Sequence, residues 1–138
     1  MPKCVVHPFE TFENPRFVVI LSRMDSKYLL SRHKNRVTWE TQGGYIEKGE
    51  TPFEAAKREL WEESGAVEYT ITPLCDYWAT TDVIESTGRV YYAEIEELGS
   101  IPEFSEMREV KLFDKLPEEF TYTYISKELF GFLESGQK

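Results

Sequence analysis

The chain has 138 residues, of which 25 are acidic and 16 are basic, so its formal net charge is −9. This length suits one domain with a buried core, and we expect residues 1–138 to form a single domain. The acidic balance argues against broad nucleic-acid binding, because a phosphate backbone would be repelled. No signal peptide or long apolar run is recognisable, and the two cysteines lack a metal or redox spacing. We therefore expect a cytoplasmic protein with reduced thiols and no membrane partner.

Six apolar or β-branched runs predict strands. They lie at 17–21, 28–30, 69–71, 77–79, 90–95 and 110–113. Asp25-Ser26 and the Ser-Thr-Gly segment at 86–88 have the composition of turns between neighbouring strands. No internal repeat or low-complexity linker divides the chain, so we expect these strands to belong to one mixed sheet.

A helix is predicted in the middle of the chain, with a signal at each end. Thr51 is a suitable N-cap, Pro52 suits the first helical position, and Glu54 closes a capping box. Gly65 can adopt the left-handed conformation of a C-terminal cap, which leaves roughly thirteen helical residues in between. The helix should therefore begin at Pro52 and end just before Gly65.

A second helix is predicted near the C-terminus. Apolar residues recur there at helical spacing, namely Tyr122, Ile125, Leu129 and Phe132 or Leu133. Two amphipathic helices with a mixed sheet between them form an α/β/α sandwich. The predicted fold class is therefore α/β.

Three glutamates gather on one side of the central helix. At 100° per residue, Glu59, Glu62 and Glu63 share an arc of roughly a quarter turn or slightly more. Glu59 and Glu63 are like charges at i and i+4, which destabilises a bare helix by a few tenths of a kcal/mol. A hard divalent cation would remove that cost. Oxygen ligands alone suit Mg²⁺ or Mn²⁺ rather than zinc or copper.

These glutamates belong to a longer pattern that runs from Gly44 to Ala66. The segment fits Gly-x5-Glu-x7-Arg-Glu-apolar-x-Glu-Glu-x-Gly-apolar at every position. At background residue frequencies such a fit arises about once in 10⁹ windows. The segment resembles the signature of the Nudix hydrolases, and the chain around it, including 27–30 and 110–117, resembles bacterial MutT-type nucleotide pyrophosphohydrolases. That family has the same α/β/α sandwich.

The resemblance implies roles for individual positions. It makes Glu59, Glu62 and Glu63, with the carbonyl of Gly43, the metal ligands. It also implies that Glu50 and Arg58 hold the loop and the helix together by charge-assisted hydrogen bonds.

The family often adds one glutamate from a later loop, as a ligand or as the general base. Glu103, Glu106 and Glu109 compete for this role here, and Glu106 is our choice. The sequence leaves open whether Glu59, Glu63 or Glu106 is the base.

Several residues outside the metal ligands are candidates for contacts with the substrate. Arg32, Gly44 and Lys48 are our candidates for the phosphates, and Arg32 is the preferred cation because it follows a strand that should lead toward the metal loop. Many relatives have Phe-Pro before the glycine pair, whereas this chain has Thr41-Gln42, which puts substrate positioning in question. Aromatic residues that could stack on a base are Trp39, Tyr45, Tyr77, Trp78, Tyr91, Tyr92 and Phe104, although most are expected in the core.

The function implied is a Mg²⁺-dependent pyrophosphohydrolase, with Mn²⁺ as an alternative metal. It would act on a nucleoside diphosphate linked to another group, in the first place a nucleoside triphosphate, oxidised or not, and release monophosphate and pyrophosphate. The ions would neutralise phosphate charge and lower the pKa of a bound water, while a glutamate takes its proton. Dinucleoside polyphosphates, ADP-ribose and the RNA 5′ end are alternative substrates, and a non-catalytic nucleotide-binding module is the alternative function. The sequence also allows a homodimer.

Overall fold

The computed structural model describes residues 2–81 and 83–136, and over these residues it has seven strands in one mixed sheet and two helices. The elements in chain order are β1 (Lys3–His7), β2 (Phe17–Met24), β3 (Lys27–His33), β4 (Gln42–Tyr45), α1 (Pro52–Ser64), β5 (Ala66–Thr80), β6 (Glu85–Leu98), β7 (Met107–Phe113) and α2 (Thr123–Glu134). The strand order is β1-β5-β6-β2-β3-β7, with β4 paired to β2. The β2–β6 pair is parallel and the other pairs are antiparallel, which makes the sheet mixed.

Each face of the sheet is covered by a different helix. Val18 and Ile20 of β2 pack with Leu60 of α1 in one apolar cluster. Leu21, the next residue of β2, packs with Leu129 of α2 in the other. Because successive residues of a strand point to opposite faces, this alternation places the sheet between the two helices. The predicted α/β/α sandwich is confirmed.

The central helix α1 has the predicted bounds, and its caps are formed as expected. The Thr51 side chain accepts a hydrogen bond from the Glu54 N–H at 3.1 Å, and the Glu54 carboxylate accepts one from the Thr51 N–H at 2.9 Å. Gly65 has φ 80° and donates its N–H to the Trp61 carbonyl. The second predicted helix corresponds to α2.

Two predictions about the sheet were wrong. The runs at 69–71 and 77–79 are parts of the single strand β5, in which a register shift between Pro73 and Cys75 accommodates the proline. The segment 86–88 lies inside β6 and is not a turn. Gly88 allows a close approach instead, since a Cβ there would lie 2.1 Å from Cε2 of Tyr77. The turn at Asp25-Ser26 is confirmed, with φ 53° and 67°.

Strands β1 and β4 were not predicted, because each is only four or five residues long. Cys4 and Cys75 are buried free thiols, as expected. Over the described residues, no helix combines the length and apolar character that a membrane span requires.

Candidate active site

Two glycines of β4 allow close packing of this strand, Gly43 against β2 and Gly44 against α1. A Cβ on Gly43 would lie 2.4 Å from the Val18 carbonyl oxygen, and a Cβ on Gly44 would lie 2.3 Å from Oε2 of Glu59. Real Cβ atoms do not tolerate such contacts, so only glycine permits this arrangement. Gly43 therefore permits the close pairing of β4 with β2, and Gly44 permits the carboxylate of Glu59 to lie against β4.

Burial and mutual repulsion perturb two of the three predicted metal ligands. Glu59 is buried, and Oε1 of Glu63 accepts a hydrogen bond from the Gly43 N–H at 2.9 Å. Burial, followed by repulsion from Glu59, raises the pKa of Glu63 to about 9. Burial also raises the pKa of Glu59 to about 7, although neighbouring Arg58 acts in the opposite direction. Positive charge beside these groups would favour their ionised forms.

Arg58 is the hub of an ion-pair network between the loop and α1. It forms a bidentate pair with Glu50, at 2.6 Å from Nε and 3.0 Å from Nη2, and Nη2 also donates to the Tyr45 carbonyl. The pair lowers the pKa of Glu50 and raises that of Arg58. The Nη1 group donates to Glu59 at 3.1 Å and to Glu62 at 3.4 Å. These contacts have the geometry expected of a brace.

The fit of a metal ion depends on how these carboxylates are turned. Within residues 2–81 and 83–136, no three histidine, cysteine or acidic side chains converge on one point in this conformation. Glu59 and Glu62 instead face Arg58, and Glu63 faces the Gly43 N–H. The donor set nevertheless consists of carboxylate oxygens on one helix, with a backbone carbonyl nearby. By its chemistry this set fits a hard divalent cation, once the side chains rotate toward a common ion.

A cavity of about 1180 Å³ opens over these glutamates. Its charged lining in the described chain comprises Arg16, Arg36, Glu40, Glu47, Arg58, Glu59, Glu62, Glu63 and Glu106. Its aromatic lining comprises Phe17, Tyr45, Tyr77, Phe104, Tyr122 and Tyr124. The cavity is therefore rich in acidic groups near α1 and in aromatic rings around them.

The three later glutamates have different surroundings. Glu106 lines the cavity, where its carboxylate lies 4.0 Å from Nε2 of His33, and its side chain is 83% exposed. Glu109 forms an ion pair with Arg32 instead, and Glu103 is exposed outside the cavity lining. Of the three candidates, only Glu106 belongs to the described cavity wall.

Two of the three predicted phosphate contacts, Arg32 and Lys48, lie outside the cavity. The Arg32 guanidinium pairs with Glu109 and lies 5.1 Å from the centre of the Trp39 ring, outside the cavity lining. Lys48 is exposed on the loop before α1 and does not line the cavity either. The third candidate, Gly44, does line it.

Two arginines at the cavity were not selected from the sequence. Arg36 donates to Glu40 at 3.1 Å and lies 5.8 Å from the Tyr122 ring centre. The Arg16 carbonyl accepts a hydrogen bond from the N–H of Ile46, the residue after Tyr45. This pairing places the Arg16 guanidinium 5.9 Å from the centre of the Tyr45 ring. Arg36 lies in a stretch rich in cations before the glycine pair, together with Arg32 and Lys34, whereas no local signal marks Arg16.

The remaining sequence predictions concern aromatic residues and Gln42. Tyr45, Tyr77 and Phe104 line the cavity, whereas Trp39, Trp78, Tyr91 and Tyr92 do not. Gln42 is fully buried and does not face the cavity. Its side chain is therefore part of the protein interior and makes no direct contact with a ligand in the cavity.

Comparisons with known proteins identify the family of this chain. Residues 13–120 match the family model of the NUDIX domain. The chain is 31% identical over 120 residues to a Bacillus subtilis protein provisionally named 8-oxo-dGTP diphosphatase YtkD, covering 84% of this chain and 75% of that protein. It is also 31% identical over 74 residues to an RNA pyrophosphohydrolase of Francisella philomiragia, covering 52% of this chain and 47% of that protein.

A solved structure extends the likeness to nearly the whole chain. The crystal structure of the Bacillus subtilis pyrophosphohydrolase BsRppH superposes with a TM-score of 0.82 at 26% identity, covering 98% of this chain and 90% of that one. The family model alone spans well over half of the sequence. The chain therefore belongs to the Nudix hydrolase family and is a pyrophosphohydrolase of nucleotide-type substrates, in a family that generally needs a divalent metal.

Proposed function

We propose that this protein is a Mg²⁺-dependent hydrolase of nucleoside triphosphates, which releases a nucleoside monophosphate and pyrophosphate. An oxidised purine triphosphate is the first substrate to test, because the Bacillus subtilis relative is named for 8-oxo-dGTP. The observation that carries the proposal is the position of Glu59 and Glu63, which are held against Gly43-Gly44 beneath a cavity with aromatic walls.

The proposed metal ligands are Glu59, Glu62, Glu63 and the carbonyl of Gly43. The charge of the cavity supports the need for a cation. Six glutamates and three arginines line the described cavity, so a triphosphate would be repelled by the protein alone. When bound, a divalent cation supplies positive charge to the pyrophosphate oxygens and to the attacking water. Mn²⁺ prefers the same oxygen ligands and should substitute.

The proposed general base is Glu106. It lies in the cavity wall, and its largely exposed side chain is free to turn toward an attacking water. Glu59 and Glu63 are proposed metal ligands, so their carboxylate oxygens would be engaged with the ion, which leaves Glu106 to accept the proton. A positioned base contributes about 10²–10⁴-fold to a rate.

Two cation–aromatic pairs are proposed to hold the rest of the substrate. Arg36 beside Tyr122 lies on one side of the cavity, and Arg16 beside Tyr45 lies on another. Each pair offers a ring on which a base can stack and a guanidinium that can bind phosphate. We propose Arg36 as a phosphate contact in place of Arg32, because Arg36 lines the cavity and Arg32 does not.

The RNA 5′ end is the second candidate substrate. The Francisella philomiragia relative is named RNA pyrophosphohydrolase, and the openness of the cavity to solvent would admit a chain end. The net charge of −9 disfavours contacts with a longer RNA. A triphosphorylated oligonucleotide therefore has to be compared directly with the free nucleotides.

The test is a substrate panel with Mg²⁺ and with Mn²⁺, in which the products are identified by mass. It contains canonical and oxidised nucleoside triphosphates, a dinucleoside polyphosphate, ADP-ribose and a 5′-triphosphorylated RNA. We expect a monophosphate and pyrophosphate from a nucleoside triphosphate. If no candidate is cleaved, the protein is better described as a nucleotide-binding module.

Variants test the proposed residues. Glu62→Gln should lower kcat by orders of magnitude while the protein stays folded, because it weakens metal binding without removing core contacts. Glu106→Gln should lower kcat by about 10²-fold. Glu103→Gln is the matched control, because Glu103 is an exposed glutamate of the same segment outside the cavity. Equal activity of the Glu106 and Glu103 variants would reject Glu106 as the base.

A further inference from the structure

Gln42 lies at the centre of a buried hydrogen-bond network. The Ser22 hydroxyl donates to Oε1 of Gln42 at 2.7 Å. Nε2 of Gln42 donates to the Leu29 carbonyl at 3.2 Å and to Oγ of Ser31 at 2.8 Å. A backbone carbonyl only accepts hydrogen bonds, so the contact with Leu29 fixes which end of the amide is the nitrogen. The orientation of the Gln42 side chain is therefore determined on both sides.

Ser31 extends this network to the end of α1. Because Oγ of Ser31 accepts from Gln42, its single proton is available for the Glu63 carbonyl, to which it donates at 2.8 Å. Glu63 is the penultimate residue of α1, so its carbonyl is among the last four and has no partner within the helix. The buried hydroxyl supplies that partner.

Glu63 is thus held at two points, by Gly43 of β4 and by Ser31 of β3. Its carboxylate accepts from the Gly43 N–H, while its carbonyl accepts from Ser31, whose hydroxyl is oriented by Gln42. The bond from Ser31 fixes the backbone of this glutamate beside the glycine pair, from where its side chain can turn toward an ion. The side chains of Gln42 and Ser31 are fully buried and lie outside the cavity lining, and the hydrogen bond that leads from them to a proposed metal ligand is the one from Ser31 to the Glu63 carbonyl.

We propose that Gln42 and Ser31 form a relay that positions Glu63 for metal binding. This inference rests on the proposed function, in which Glu63 is a metal ligand. Partners of a ligand commonly change metal affinity or activity by about 10–100-fold when they are removed. The relay also gives a role to the glutamine at the position where many relatives have proline.

Two serines provide a matched comparison. Ser22 and Ser31 are both buried, and each hydroxyl contacts Gln42, at 2.7 Å and 2.8 Å. Only Ser31 continues to Glu63, whereas Ser22 lies on β2 on the other side of the amide. Ser22→Ala removes one buried hydrogen bond and leaves Oε1 of Gln42 without its donor, so it should lower Tm, by less than Ser31→Ala, which removes two hydrogen bonds.

The expected results separate positioning from general stability. Ser31→Ala should lower kcat by about tenfold or more, with the KM for the nucleotide changed less than about twofold. It should also weaken Mn²⁺ binding by about tenfold, measured by the Mn²⁺-induced rise in Tm and by the electron paramagnetic resonance signal of free Mn²⁺. Ser22→Ala should keep kcat and Mn²⁺ affinity within about twofold of the wild type. In Ser31→Cys, which keeps a weaker donor, kcat and Mn²⁺ affinity should lie between those of the wild type and those of Ser31→Ala. This variant replaces Ser31→Ala if Ser31→Ala does not fold.

Other outcomes would overturn the relay. Equal losses of kcat and Mn²⁺ affinity in Ser22→Ala and Ser31→Ala would show that the network is merely structural. Absence of Mn²⁺ binding by the wild type would overturn the relay together with the metal site. If the wild type binds Mn²⁺ but cleaves no nucleotide, the proposed function fails, and the Mn²⁺ affinities of the two serine variants still decide on the relay.

Discussion

Replacement of Gly44 by alanine should separate activity from stability. A Cβ at this position would lie 2.3 Å from Oε2 and 2.7 Å from Cδ of Glu59. The obstructing atoms belong to the end of a flexible side chain, so the backbone of β4 need not move. We therefore expect the fold to tolerate Gly44→Ala at the expense of the position of Glu59.

The displacement can be worked out from these distances. An ordinary contact begins at 3.4 Å, so the carboxylate has to retreat by about 1.1 Å from its present position. A misplacement of about 1 Å in a catalytic group can cost about 10²-fold in rate. Alanine also restricts the unfolded chain, which offsets strain by about 0.4–1 kcal/mol. The expected result is a loss of about 10²-fold in kcat with Tm within a few degrees of the wild type.

Replacement of the neighbouring Gly43 by alanine should instead lower the stability of the fold. A Cβ on Gly43 would lie 2.4 Å from the Val18 carbonyl oxygen, which belongs to the backbone of β2 and cannot rotate away. Strain of this kind costs about 1–3 kcal/mol. At about 4 °C per kcal/mol, Gly43→Ala should lower Tm by roughly 4–12 °C.

The assay combines three measurements on each variant: kcat with the best nucleotide, the Mn²⁺ concentration at half-maximal rate, and Tm. Gly131→Ala is the control, because a Cβ there meets nothing within 4 Å, and alanine in a helix is favoured over glycine by about 0.5–1 kcal/mol. It should raise Tm slightly and leave kcat unchanged. Wild-type kcat and metal dependence in a folded Gly44→Ala protein would refute the idea that the position of Glu59 limits the reaction.

Three further predictions follow from the charges and thiols of the site. In metal-free protein the folded state binds more protons than the unfolded state, because Glu59 and Glu63 have pKa values raised to about 7 and about 9. Thermal melts in chelator should therefore show that Tm falls as the pH rises from about 4.5 to 9. Glu63→Gln should make Tm depend less on pH. A Tm that rises over this pH range would contradict the prediction. Arg58→Lys should lower Tm and kcat together, measured by melting and turnover, because an ammonium cannot replace the bidentate pair with Glu50. Cys4 and Cys75 are buried thiols whose pKa values are raised by burial to about 12, so a thiol reagent should modify them only at the rate of unfolding, and rapid labelling of folded protein would argue against their burial.

The central helix could be predicted because its signals are local. Each capping residue acts within one turn of the helix end that it marks, as Thr51, Pro52, Glu54 and Gly65 do here. Residues that are close in sequence therefore suffice to place both ends of the helix. The glutamate arc follows directly from helix geometry. The sequence therefore identified the helix and the candidate ligands together.

The residues that line the cavity were harder to predict because their positions depend on strand pairing. In the β3–β7 pair the register shifts between Arg32 and His33, so simple alternation no longer tells which side each residue occupies. Arg32 pairs with Glu109, whereas His33 lines the cavity. Arg16 is placed at the site by backbone pairing with distant residues, because its carbonyl accepts from the Ile46 N–H and its own N–H donates to the Thr87 carbonyl. Such contacts have no local signature.

The contacts of Arg58 explain how the same glutamates can be held without a metal and released to one. Its two bonds to Glu50 measure 2.6 and 3.0 Å, whereas those to Glu59 and Glu62 measure 3.1 and 3.4 Å. A cation that draws the two α1 carboxylates away would leave the bidentate pair and the Tyr45 contact intact. Arg58 would then stay in place and continue to join the loop to the helix. An arginine directly beside the first proposed ligand can thus neutralise the carboxylates before the metal binds and hold the loop against the helix afterwards.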